Sequence, residues 1–424
     1  MQDSSATHTR KTPAAAFALV SVLFLSWGVA NNMNDTLLAA FKRIMSMSDF
    51  QTSLVQFAFY GAYACFAIPA AIFIKRFSYK AGIILGLALY AAGTMLFYPA
   101  GEAASYAFFL FAIYVMASGC AVLETTANPY ILAMGAPDNA TRRLNVAQTL
   151  NPIGAITGIL LSRHFILSEL NAADAADRAW MSAAALSQLQ HHELNAVSGA
   201  YMLIGCILIA LLVVIASVRM PVFREEGGSH RFGPVFRSLW QNRMYRYGVI
   251  AQFFYVGVQT CVWSFTIRLA MQELDILEKD ASLIFLYSII AFTAFRFVFT
   301  WLMAYIQPAK LLLAASLLAL VFTSIVIGAG GWLAVAALIA ISGCMSLMFP
   351  TIYGIALDGM AGDSAKIAAS GLIMAILGGA LITPLQALVS DCFGISRSFL
   401  IPALCFTVIT VYSVYVLKFN PSHE

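Results

Sequence analysis

Long apolar stretches alternate with short polar ones along the whole chain. A helix rises 1.5 Å per residue and needs about 20 mainly apolar residues to cross a bilayer. Stretches of that kind fall at 13–41, 51–74, 81–100, 104–134, 144–167, 197–218, 245–271, 282–304, 309–328, 332–357, 366–390 and 397–418. The pattern predicts an all-α integral membrane protein with twelve transmembrane helices. The longest polar intervals, 168–196 and 219–244, leave no room for a soluble domain, and the second divides the spans six and six. The expected organisation is a tail at 1–12, a six-helix bundle at 13–218, a linker at 219–244, a second six-helix bundle at 245–418 and a tail at 419–424. Arg10 and Lys11 precede the first stretch as in a secretion signal. That stretch is far longer than a signal core of 7–15 residues, so it reads as a retained span.

Composition strengthens this picture. The chain is 61% hydrophobic and 10% charged, against roughly 25% charged in soluble domains. A core grows more slowly than a chain, so this much apolar surface needs lipid as its solvent. Of the 24 lysines and arginines, sixteen fall in the tails and the even-numbered connections, seven on the other side, and Arg296 within the eighth span. Basic residues collect on the cytoplasmic side. The expected arrangement is a multi-pass membrane protein with both termini cytoplasmic. The net charge of +4 comes from scattered loop residues, not a basic run, so a nucleic-acid partner is not expected. The seven cysteines form no CxxC pair, and no Walker-type loop, GxSxG or HExxH occurs. No cofactor, metal or ATP site is therefore expected, and an intramembrane enzyme is a remote alternative.

An ionisable group at bilayer depth costs at least about 2.5–3.5 kcal/mol, so it normally faces a cavity or a partner. Two carboxyls sit well inside apolar spans, Asp35 in the first and Glu124 in the fourth. Asp35 ends Asn31-Asn32-Met33-Asn34-Asp35 and shares a helix face with Asn31. It is expected near the outer mouth, and the alternative is a capping group at the interface. Glu124 shares a face with Asn128 in Glu124-Thr125-Thr126-Ala127-Asn128-Pro129. An ion pair with Arg296 is the structural alternative. Otherwise Glu124 faces a cavity, where burial penalises its charged form and suits it to carrying a proton. All six histidines lie in tails, loops or at a helix end. The other in-span polar residues are amides, among them Gln148, Asn151, Gln252 and Gln259. They suit the hydroxyls of a neutral polyol or the bonding of helix to helix. Trp27, Tyr255 and Trp263 offer flat apolar faces with a polar edge, for a sugar ring or for packing. An internal repeat is faint: Asn128-Pro129 in span four and Phe349-Pro350 in span ten hold corresponding places.

Three blocks carry a family likeness: Val29 to Asp35, Leu123 to Pro129, and Leu144-Asn145-Val146-Ala147-Gln148-Thr149. Ser78 to Ile83, Ala251-Gln252-Phe253, Trp263-Ser264 and Ile401 to Phe406 add to it. Together they resemble the fucose–galactose–glucose:proton symporter branch of the major facilitator superfamily, most of all its bacterial L-fucose:proton symporters. The resemblance implies two six-helix bundles around a central cavity, rocking to alternate access. It implies that Glu124 and Asp35 are the key acidic pair, with Glu124 central to proton coupling. It places Asn32 and Gln148 at the sugar, Arg296 in the cavity region, and Trp27 and Trp263 near the central path. Asn128 and Gln259 complete the candidate binding set. Phe349 departs from the pattern, which has tyrosine before that proline. The expected function is proton-coupled symport of a small neutral monosaccharide, L-fucose or a relative such as galactose or arabinose, by a monomer. Sodium coupling, drug:proton antiport and a non-transporting sugar sensor are the alternatives.

Overall fold

The computed structural model describes residues 13–45, 47, 49–171, 178, 180–221, 232–276, 278–360 and 362–419. Twelve of its helices are long and apolar enough to cross a membrane. They are Ala14–Met33, Leu54–Arg76, Tyr79–Glu102, Tyr106–Ala133, Pro137–Ile166, Ala183–Ser217, Arg243–Leu274, Asp280–Leu302, Pro308–Gly328, Gly331–Ala356, Ser364–Phe393 and Ile395–Phe419, hereafter spans one to twelve. With twelve crossings among the described residues, Ala14 and Phe419 fall on one side, called here the terminal face.

Side-chain caps fix where several spans begin. Ser78, Ser105, Ser182 and Asn242 accept from the backbone N–H groups of Ala81, Phe108, Ala185 and Tyr245, which otherwise have no intrahelical partner. Span six departs from the sequence expectation. Its helix starts at Ala183, inside the interval 168–196 that reads as polar connection, because Ser182 caps an alanine-rich turn there. Glu193 on this early part forms a buried two-pronged ion pair with Arg178, Nη1–Oε2 2.8 Å and Nη2–Oε1 2.7 Å. Gln190 beside it donates to the Ile44 carbonyl at 2.9 Å, which ties span six to the end of the first helix. The linker interval also contains a helix, Phe232–Gln241, whose Leu239 is buried.

The two halves are built on the same close crossings. A Cβ on Gly154 would stand 2.0 Å from the Leu25 carbonyl oxygen, and one on Gly28 2.1 Å from that of Asn151. Only glycine lets spans one and five approach this closely. In the second half a Cβ on Gly378 would stand 2.0 Å from the Phe253 oxygen, so spans seven and eleven cross in the same way. Spans five and eleven are both interrupted near these crossings. Span five divides between Gln148 and Leu150, and span eleven passes through a 3-10 turn at Ala375–Leu377. Span ten divides between Met345 and Met348, just ahead of Pro350, whereas span four runs unbroken through Pro129. Leu203, Ile207 and Val213 on span six and Leu317 and Val321 on span nine are exposed. Such a surface is stable only against hydrocarbon.

On the side of the terminal face the halves touch. A Cβ on Gly354 of span ten would meet the Thr141 hydroxyl of span five at 2.6 Å, and Asn145 Nδ2 donates to Thr351 Oγ1 at 3.3 Å. The Lys366 ammonium of span eleven lies 5.3 Å from the ring centre of Tyr79, and that ring stacks on Tyr130 at 5.0 Å.

Candidate functional site

Between the halves lies a cavity of about 130 Å³ with room for several water molecules. Spans one, two and five contribute Trp27, Asn31, Asn32, Gln56, Tyr60, Tyr63, Gln148 and Asn151. Spans seven, eight and ten contribute Tyr255, Gln259, Thr260, Trp263, Phe292, Arg296 and Phe349. The wall thus mixes amides and hydroxyls with aromatic faces, the surface that a polyhydroxylated ring with apolar C–H patches needs.

Local structure positions each group. Glycine at 28 and 154 draws span five against span one, which brings the amides of Asn32 and Asn151 to one side of the cavity. Trp27 donates through Nε1 to the Tyr63 hydroxyl at 2.6 Å, and Trp263 to the Ser342 hydroxyl at 3.3 Å. Phe349 fills the floor, 6.3 Å from Trp27 and 6.1 Å from Tyr255 between ring centres. Arg296 is buried from the second half, its guanidinium 5.0 Å from the Phe292 ring centre. Its Nη1 donates across the gap to the Gln148 carbonyl at 3.3 Å.

Of the residues singled out from sequence, Trp27, Asn32, Gln148, Gln259, Trp263 and Arg296 line the cavity. Glu124 and Asn128 do not; they stand one layer behind its wall. Gln148 Nε2 donates to Asn128 Oδ1 at 2.9 Å, and Asn128 Nδ2 donates to the Glu124 carbonyl at 3.0 Å. Glu124 is 3% exposed, and neither of its carboxyl oxygens has a hydrogen-bond partner among the described residues. No ion pair joins it to Arg296, the structural alternative raised by the sequence. Asp35 lies on the first helix, but its side chain falls outside the described residues.

Tyr63 is the residue that sequence reasoning misses most. It lines the cavity and accepts from Trp27. Gln56 and Tyr60 are missed on the same span. All three repeat at helical spacing along one face of span two, a signal masked by the apolar residues between them.

The profile of the Major Facilitator Superfamily matches residues 16–384. The chain belongs to the major facilitator superfamily. It is 41% identical over 415 residues to the L-fucose-proton symporter of Haemophilus influenzae, covering 95% of this chain and 96% of that one. It is 38% identical over 405 residues to the L-fucose-proton symporter of Escherichia coli, covering 94% and 92%. Its structure is similar to the crystal structure of the transporter FucP in the outward conformation, with a TM-score of 0.87 at 37% identity, covering 94% of this chain and 98% of that one.

The superfamily architecture accounts for the crossings described above. Two bundles of the same build face each other across a midplane cavity, and interrupted helices line it. Non-helical backbone at bilayer depth is stable only where protein or water covers it. The breaks in spans five, ten and eleven meet that condition, since Gln148, Phe349 and Ile376 beside them all line the cavity.

Proposed function

We propose that the protein carries L-fucose, or a closely related neutral monosaccharide, together with a proton across the bacterial inner membrane by alternating access. It is a transporter and not an enzyme, and a multi-pass membrane protein. The observation that carries the reading is the layering of the site. A carboxyl buried without a partner, Glu124, stands directly behind a cavity walled by amides and indoles, in a chain 41% identical to an L-fucose-proton symporter.

Glu124 is the proton carrier in this reading. An ionised carboxylate without a partner at that depth is costly, so closing the cavity around it is favoured once it is protonated. Asn32, Gln148 and Gln259 offer donors and acceptors to sugar hydroxyls, Arg296 offers donors, and Trp27 and Trp263 face the ring. Asn128 orients Gln148. Asp35 assists at the mouth of the pathway. The halves touch near the terminal face, and the excess of basic residues makes that face cytoplasmic. One chain contains both walls of the cavity, so a monomer suffices.

The deciding experiment uses purified protein in weakly buffered vesicles. L-fucose, D-galactose, D-glucose and L-arabinose are added in turn while external pH is recorded. Alkalinisation on adding L-fucose is the expected result. Sugar uptake without a pH change, or uptake that requires sodium, overturns the proton reading.

A further inference from the structure

Three aromatic rings meet at one end of the cavity. Phe349 of span ten lies 6.3 Å from Trp27 of span one and 6.1 Å from Tyr255 of span seven between ring centres. All three residues line the cavity. The rings are inclined to one another by 51° and 61°, the tilted and edge-to-face arrangements in which aromatic groups pack well. Tyr353, one helical turn further along span ten, stacks on Phe349 with ring centres 6.3 Å and planes 19° apart. Its side chain is fully buried, so Phe349 is backed by a second ring and held at a fixed tilt.

The three rings have two hydrogen-bond donors between them, and both are already used. Trp27 donates through Nε1 to the Tyr63 hydroxyl at 2.6 Å. Tyr255 donates to the Met345 carbonyl at 3.1 Å, which holds its oxygen against the buried backbone of span ten. Phe349 has no polar atom. A ligand hydroxyl pressed against these faces would lose its water and gain no donor in return, whereas a methyl group would only leave water.

Donors for hydroxyls stand elsewhere on the wall. The Tyr63 hydroxyl has its own proton to give, and Arg296 has N–H groups beyond the one that reaches the Gln148 carbonyl. Of the buried polar atoms without a partner among the described residues, only Arg296 Nε belongs to a residue that lines the cavity. The amides of Asn32 and Gln259 line it too. The cavity therefore offers polar groups to one part of a ligand and bare ring faces to another.

We infer that Trp27, Tyr255 and Phe349 form a subsite for the methyl group of a 6-deoxyhexose, with Phe349 as the residue that sets the preference for methyl over hydroxymethyl. The inference rests on the sugar-symport reading and deepens it, since it names the substituent by which the site tells one monosaccharide from another. Trp27 belongs to the first half and the other two rings to the second. A methyl group seated among them touches both bundles at once.

The test uses three sugars that share every ring hydroxyl and its configuration. L-fucose carries a methyl group on the ring, L-galactose a hydroxymethyl group and D-arabinose a hydrogen. Their binding to purified protein is measured by calorimetry at one pH, for the wild type, Phe349→Leu and Trp263→Phe, beside proton-coupled L-fucose uptake in vesicles. The wild type is expected to bind L-fucose about tenfold more tightly than D-arabinose and about 50-fold more tightly than L-galactose, as one methyl group in an apolar pocket and one unpaired hydroxyl imply. Phe349→Leu keeps an apolar side chain and removes the ring face. It is expected to hold D-arabinose within about twofold of wild type while the advantage of L-fucose over it falls to about threefold. The Trp263 indole packs on Phe285 and Phe292, so Trp263→Phe should weaken all three sugars alike.

The wild-type series alone can overturn the proposal, without any variant having to fold. Binding of L-galactose or D-arabinose as tight as that of L-fucose would mean that Tyr63 or Arg296 serves the added hydroxyl, or that nothing reads the methyl group. A Phe349→Leu variant in which the three sugars weaken together would make the ring a structural support. In either case proton-coupled uptake of L-fucose by the wild type leaves the symport reading standing. Failure of the wild type to bind or take up any of the three removes both.

Discussion

In the first half a Cβ on Gly154 would meet the Leu25 carbonyl, and in the second a Cβ on Gly378 would meet that of Phe253. Both contacts stand beside an interruption in a cavity-lining helix. The frames match, yet the buried chemistry does not. Counting five residues back from the proline, span four has Glu124 and span ten has Met345. The cation at cavity depth, Arg296, belongs to the second half. A repeated frame supplies two surfaces able to rock against each other. On the proposed function, placing the proton site Glu124 in one half and the buried cation in the other divides the labour. In that proposal, protonation acts on one bundle, and sugar, held by both, draws them together.

The sharpest way to break that division is Glu124→Gln. A single charge moving through about 150–180 mV gains about 3.5–4 kcal/mol, enough for roughly 10³-fold accumulation. The variant is expected to lose the whole of that gradient, with radiolabelled L-fucose in energised vesicles rising only to equality with the outside. Accumulation above tenfold would move the proton to another group and dissolve the contrast between halves. Arg296→Ala probes the other side. Hydrogen bonds to charged groups contribute about 1.5–3 kcal/mol, so L-fucose binding is expected to weaken by about 10- to 150-fold by calorimetry. The proton-to-sugar ratio should stay as in wild type; a changed ratio would show that coupling is shared by the two halves.

The frame has its own test. Gly154→Ala and Gly378→Ala each force a methyl group against a backbone oxygen, an overpacking that costs about 1–3 kcal/mol. Both are expected to lower the unfolding temperature in detergent by similar amounts. Gly61→Ala, with nothing within 4 Å of its Cβ, serves as the reference. A loss confined to one crossing would mean that the halves are alike in shape but not in stability.

How much of this was legible in the chain follows from how each feature is encoded. Spans are written in local composition, so all twelve could be read, with ends misplaced mainly where a cap lies in polar sequence, as at Ser182. Buried carboxyls stand out against apolar surroundings, so Glu124 was found. Its depth behind the cavity wall was not, because that depends on how Gln148 and Asn128 meet across two helices. Tyr63 escaped for a related reason. A tyrosine in an apolar span looks like packing until its hydroxyl is seen to accept from Trp27, 36 positions earlier in the chain. The close crossings were equally hidden, since glycine is frequent in membrane helices and only the three-dimensional path shows which ones meet a carbonyl.

The smallest expected difference lies between the two indoles that face the cavity from corresponding first spans of each half. Trp27 donates to Tyr63 at 2.6 Å, and Trp263 to Ser342 at 3.3 Å. Replacement by phenylalanine keeps a ring in place and removes the N–H, a loss of about 0.5–1.5 kcal/mol for an ordinary hydrogen bond. The shorter bond, to a fully buried hydroxyl, belongs at the upper end of that range. Trp27→Phe is therefore expected to weaken L-fucose binding about tenfold and Trp263→Phe about twofold. Only the first should also alter how binding varies with pH, since Trp27 stands in the same half as Glu124. If both variants changed that dependence equally, proton sensing would extend into the second half through its own indole.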